Sequence, residues 1–62
     1  MKLWVKVGTH PARYVTSTSK RNPRIGLILS VKDEEAGAKP YQVRITNFRY
    51  IDGQWLYFME ML

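Results

Sequence analysis

Apolar residues recur at every second position in three stretches of this chain, and nowhere at helical spacing. Leu3, Val5 and Val7 alternate with Trp4 and Lys6. Ile25, Leu27, Leu29 and Val31 alternate without a fault. Tyr41, Val43 and Ile45 alternate with Gln42, Arg44 and Thr46. A period of two puts every apolar side chain of such a stretch on one face of an extended strand, the mark of a sheet with one buried side. The spacing therefore predicts an all-β chain.

The connecting segments say how such strands are joined. At Thr46–Asn47 the phase slips by one residue, because the next large apolar residues are Phe48 and Tyr50. A slip of one in a strand predicts a bulge or sharp bend, which lets a small sheet curl. Asp52-Gly53 is a hairpin turn signal, and it leads into a nearly unbroken aromatic and apolar run over residues 54–58. Met59-Glu60-Met61-Leu62 reads as a short turn and a last strand. Residues 8–24 form a long polar connection rich in turn formers, with a short extended piece at 14–16. Residues 33–40 make a charged turn containing Gly37. Five short strands, one long early loop and no helix predict a single small, strongly bent antiparallel barrel over residues 1–62.

A chain of 62 residues lies near the lower size at which a domain folds alone. It has no cysteine, which excludes a disulfide framework or thiolate metal site. His10 is the one histidine and the carboxylates are scattered, so neither a metal nor another cofactor is expected. Stability must come from the apolar core. The aromatics Tyr41, Phe48, Trp55, Tyr57 and Phe58 are expected to fill the barrel, although the same set could form a cage for a cationic ligand. Lys6 interrupts the first apolar run, so no signal-peptide hydrophobic region is read there, and no run is long enough for a membrane span. The expectation is a cytoplasmic protein with no membrane partner.

Taken in order, the chain resembles the SH3-like small barrels. The residues that carry the likeness are the first strand, the long polar loop, Arg24-Ile25-Gly26-Leu27-Ile28-Leu29-Ser30-Val31, the charged turn, Tyr41-Gln42-Val43-Arg44-Ile45, Trp55-x-Tyr57 and Glu60-Met61-Leu62. Within that group, Gly26-x-Ile28-x-x-Val31 is similar to the core of KOW modules, which bind RNA or RNA polymerase. Gly26, Val31 and Tyr41-x-Val43-Arg44 look like the peripheral subunit IV of photosystem I, and short free-standing barrels of this kind are common in phage genomes. The resemblance implies a binding module, and fold alone does not choose among these partners.

Charge narrows the choice. Residues 1–32 hold seven cations and no acid, and the remaining thirty hold three cations and five acids, so the halves sum to +7 − 2 = +5. This distribution favours an anionic partner. Peptide-binding SH3 domains hold basic Pro-rich ligands with an acidic early loop. Here the matching loop carries Arg13, Lys20, Arg21 and Arg24 with no acid, and would repel them.

The candidate anion-binding set is Arg13, Lys20, Arg21 and Arg24, with Lys6 and Arg44 on neighbouring strands and Tyr14 or Trp4 stacking on bases. The same loop could equally be a solvated one that keeps the protein soluble. Trp4 and Ile28 lie off the inward faces and, on adjoining strands, could form a protein-contact patch. Asp33-Glu34-Glu35 sits in a turn where solvated charge is expected, and His10 lacks a nucleophile and an orienting acid. No catalytic set can be assembled, so no enzyme activity is expected. The leading expectation is contact with nucleic acid or a nucleoprotein or transcription assembly. The alternative is a protein–protein adaptor, such as a phage factor or a small peripheral subunit on a larger acidic complex, and a homodimer is a third possibility.

Overall fold

A computed structural model describes residues 2–18, 22–35 and 37–62. Five strands follow one another round a closed barrel: β1 (Lys2–Val7), β2 (Arg13–Ser17), β3 (Ile28–Asp33), β4 (Tyr41–Ile51) and β5 (Gln54–Met61). The all-β small barrel is as expected. Consecutive strands pair antiparallel, and β1 closes on β5 in parallel. A meander with an odd number of strands ends with a strand running the same way as the first. The closing seam is therefore parallel, which corrects the all-antiparallel expectation at one junction. Among the described residues no helix is long and apolar enough to cross a membrane.

The core is built from the alternating positions. Leu3, Val5 and Val7 of β1 meet Val15 of β2, Leu29 and Val31 of β3, Val43 and Ile45 of β4, and Met59 of β5. The most deeply buried side chains, Ile45, Val5, Val7, Val15, Val31 and Val43, are all β-branched, the shape that packs well on a pleated surface. No aromatic belongs to this buried set; Tyr41 and Tyr57 only pack against it. This corrects the expectation that aromatics fill the barrel. Barrel diameter grows with strand number, so the narrow interior of a five-stranded barrel is filled by Val, Leu, Ile and Met59.

Three local readings change as well. Residues 13–17, in the polar connection, form the full strand β2, whose inward Val15 was hidden among polar neighbours. Ile25 is exposed, because residues 24–27 turn before β3 begins. The Leu27 N–H donates to Arg24 O at 3.1 Å, and Gly26 has φ +89°, which suits the third position of a type II turn. Finally, β5 runs unbroken to Met61, paired with Val43, so residues 59–62 contain no separate turn and strand.

The predicted phase slip is a bulge. Ile45 opposes Met59 and Asn47 opposes Phe58, leaving Thr46 as the extra residue, its Oγ1 donating to Phe58 O at 3.2 Å. The Asp52-Gly53 turn is also as expected, with φ +49° and +81° between the paired Ile51 and Gln54, the signs a type I′ hairpin needs. A Cβ on Gly53 would meet nothing within 4 Å, so a substitution there acts through backbone conformation alone. Gly53→Ala is expected to cost about 1–2 kcal/mol. In a domain this small each kcal/mol lowers the melting midpoint by roughly 4–8 °C, which a circular dichroism melt will measure.

Candidate functional site

The hairpin of β4 and β5 carries three exposed aromatic rings, Phe48, Tyr50 and Trp55. β4 has eleven residues and β3 six; beyond Ile45 its register partners are all in β5. Its core-facing side therefore continues past the wall of the barrel. On that side Tyr50 opposes Trp55 and Phe48 opposes Tyr57. The rings form a ladder: Tyr50 and Trp55 lie 5.1 Å apart at 68°, Phe48 and Trp55 5.3 Å apart at 70°, and Phe48 and Tyr57 6.2 Å apart. Edge-to-face packing of this kind holds rings in place. Tyr50 is 62% exposed, Trp55 48% and Phe48 37%. The sequence shows these aromatics plainly, and Asp52-Gly53 pairs them across a turn. What it leaves open is that the hairpin outruns its neighbours.

A second aromatic group lies on the outer face of β1 and β2. Trp4 is opposite Tyr14 on β2 and Leu56 on β5. Trp4 is half-buried and Tyr14 exposed. Tyr14 is already engaged: its hydroxyl donates to Gln54 Oε1 at 2.7 Å, and Lys2 Nζ sits 5.1 Å from its ring centre. Lys6, on the same face, opposes Phe58. Ile28 is exposed but stands on β3, which pairs with β2 and β4 and not with β1. The expected Trp4–Ile28 patch on adjoining strands is thus corrected: β2 lies between them.

Ion pairs engage two of the candidate cations, Arg13 and Arg44. Arg13 begins β2 and is not part of a loop, with its Nε 3.3 Å from Asp33 Oδ1. Arg44 points outward, as expected, but its Nη1 meets Glu60 Oε1 at 2.9 Å, and Lys2 meets Glu34 at 3.1 Å. Arg44 is separated from Lys6 by β5. The Arg44 and Lys2 pairs are exposed and add little stability. They nevertheless lower the net charge of their surroundings. Arg24 is exposed, and among the described residues it, Lys6, Lys32, Lys39 and Arg49 have no ion pair. Lys20 and Arg21 lie outside the described residues.

Arg13, Tyr41 and Asp33 form a closed triangle joining β2, β3 and β4. Arg13 Nη2 donates to the Tyr41 hydroxyl at 3.0 Å, and that hydroxyl donates to Asp33 Oδ1 at 2.7 Å. Burial pushes the Tyr41 phenol above its ordinary 10.0, against the opposing hydrogen bond from Arg13. The Tyr41 hydrogen bond in turn holds the Arg13 guanidinium above its usual value, against its partial burial. A tyrosine that keeps its proton longer in the fold than in the open chain makes stability fall as pH rises past about 10. Tyr41→Phe is expected to cost roughly 1–2 kcal/mol near neutral pH, for two hydrogen bonds, and to flatten that alkaline fall. Urea unfolding of both chains across the alkaline range measures the two effects.

Asp33, Glu34 and Glu35 line an open groove of about 440 Å³ with Thr16, Lys32 and Gly37. Two of these three carboxylates are in ion pairs. Among the described residues no three His, Asp or Glu side chains gather as metal ligands. The structure thus concentrates exposed rings on one hairpin and, among the described residues, pairs Lys2, Arg13 and Arg44 with acids. In comparisons with known proteins, no family model, no curated protein and no solved structure matches this chain.

Proposed function

We propose that this protein is a non-catalytic binding module whose partner is nucleic acid, alone or in a nucleoprotein assembly. The reading rests on one observation. The ladder of Phe48, Tyr50 and Trp55 is exposed towards the turn end of the hairpin, where Asp52 is the one carboxylate among residues 46–57 and the unpaired Arg49 stands on the opposite face of the ribbon. The turn that holds Arg24 reaches the base of the same hairpin, where the Gly26 N–H donates to Ile45 O at 2.8 Å. Exposed rings on a chain of net charge +5 suit a ligand with flat bases on a phosphate chain. The likeness of the chain to SH3-like barrels and KOW modules leans the same way.

Counterion release makes such binding fall steeply with salt. If about four phosphates are neutralised, affinity for a single strand should drop roughly 50-fold between about 50 and 200 mM salt, and more for a duplex. Anisotropy titrations against single- and double-stranded DNA and RNA at the two salt levels will measure this. Absence of binding at the lower salt to all four would sink the proposal.

The second reading is a protein adaptor, favoured by the neighbouring exposed apolar residues Ile25 and Ile28, which are 59% and 49% accessible. It predicts a specific partner in a pull-down that is lost with Ile28→Glu and kept with Arg24→Ala.

A further inference from the structure

We infer that the nucleic acid held by the hairpin is single-stranded, with its bases stacked on the ladder centred on Trp55. This rests on the nucleic-acid reading above and adds the form of the ligand and the residues that select it. Trp55 lies in edge-to-face contact with both Tyr50 and Phe48, so binding need not first arrange the rings, which lowers the ordering cost. The two most exposed rings, Tyr50 and Trp55, are direct cross-strand partners. They offer π surface on a ribbon only two strands wide.

Every base has a π-face, so a stacking surface accepts any sequence whose bases are unstacked. A duplex keeps those faces inside its own stack and presents only base edges and phosphates. Rings could reach its bases only by prising a step apart, which itself costs free energy. An aromatic ladder therefore discriminates between strand forms in a way that lysine and arginine alone cannot. A second copy of this chain is the poorer occupant. Each copy carries a net charge of +5, so two copies repel each other where a phosphate chain is attracted.

The two tryptophans make the test direct, because only Trp55 stands on the ladder. The probe is an oligothymidylate of about 15 nucleotides, within the usual span of single-strand site sizes, set beside a duplex of the same length. In a Trp4→Phe chain Trp55 alone reports, and in a Trp55→Phe chain Trp4 alone reports. The single strand should quench the first chain strongly and the second little. Trp55→Ala should weaken single-strand binding about 5- to 150-fold, with a smaller effect on the duplex. Tyr50→Ala, at a still more exposed position, should weaken it in the same direction if Trp55→Ala proves poorly folded. Single-strand binding with Trp55 unquenched would overturn this inference while leaving nucleic-acid binding intact, and so would binding to the duplex alone. Binding to neither would overturn this inference, and the same result with single- and double-stranded RNA would overturn both.

Discussion

Ile45→Ala is expected to bring the folded state close to collapse, a larger effect than substitution at Gly53, Tyr41 or Asp33. Ile45 is fully buried, and its backbone joins three segments: its N–H donates to Leu27 O at 3.0 Å, its carbonyl accepts from the Gly26 N–H at 2.8 Å, and it opposes Met59 across β5. Truncating a buried isoleucine to alanine costs about 2–5 kcal/mol, transfer and cavity together. A domain of this length has a total stability of only about 3–9 kcal/mol. The loss is thus comparable to everything that holds the chain folded. Because the barrel is narrow and closed, a neighbour can fill the cavity only by shifting a strand. Urea unfolding of the variant will show a midpoint near zero denaturant or no folded baseline. Ile45→Val, at about 0.5–1.5 kcal/mol, should remain folded, and a loss below about 1 kcal/mol for the alanine variant would refute this account of the core.

The second large effect is expected at Asp33. Its carboxylate accepts the Tyr41 hydroxyl and faces Arg13, whose Nε is buried without a hydrogen-bond partner. Asp33→Ala removes the one nearby negative charge and leaves the guanidinium uncompensated, at an expected cost of about 1–3 kcal/mol. Both side chains are about a third exposed, so water offsets part of that penalty and the upper end is not reached. The informative measurement is the cycle with Arg13→Met. Once the arginine is gone, Asp33→Ala should cost markedly less, because no stranded cation remains. Coupling of at least about 0.5 kcal/mol is expected between groups in one network. Strict additivity would mean that the triangle is an incidental surface contact.

These two sites differ in how far they could be read from the chain. Ile45 belongs to an alternation that names its side of the strand, and its burial follows. The bulge at Thr46 was legible for the same reason, since the apolar phase slips there by one residue. So was the Asp52-Gly53 turn, whose residue types tolerate positive φ. Arg13 was not legible. It looked like part of a basic loop because its strand has only Val15 as an apolar marker. Its partners Asp33 and Tyr41 lie 20 and 28 positions away, and no local pattern links them. The aromatics were visible but misassigned, because residue type says that a ring is large and not whether the interior has room for it.

By itself the sequence determined the class of fold, the positions of the main strands, the kink in β4 and the place of the hairpin turn. All of these follow from side-chain period and local backbone preference, which act over a few residues. Only the tertiary structure decided that the seam between β1 and β5 is parallel, that aliphatic residues occupy the core, and that Arg13 and Arg44 are paired with acids while Arg24 and Arg49 are not. It also decided that the rings of Phe48, Tyr50 and Trp55 stand outside. The physical reason is the mismatch in strand length. A period of two assigns a side chain to one face of its strand, but whether that face is covered depends on where the neighbouring strands stop.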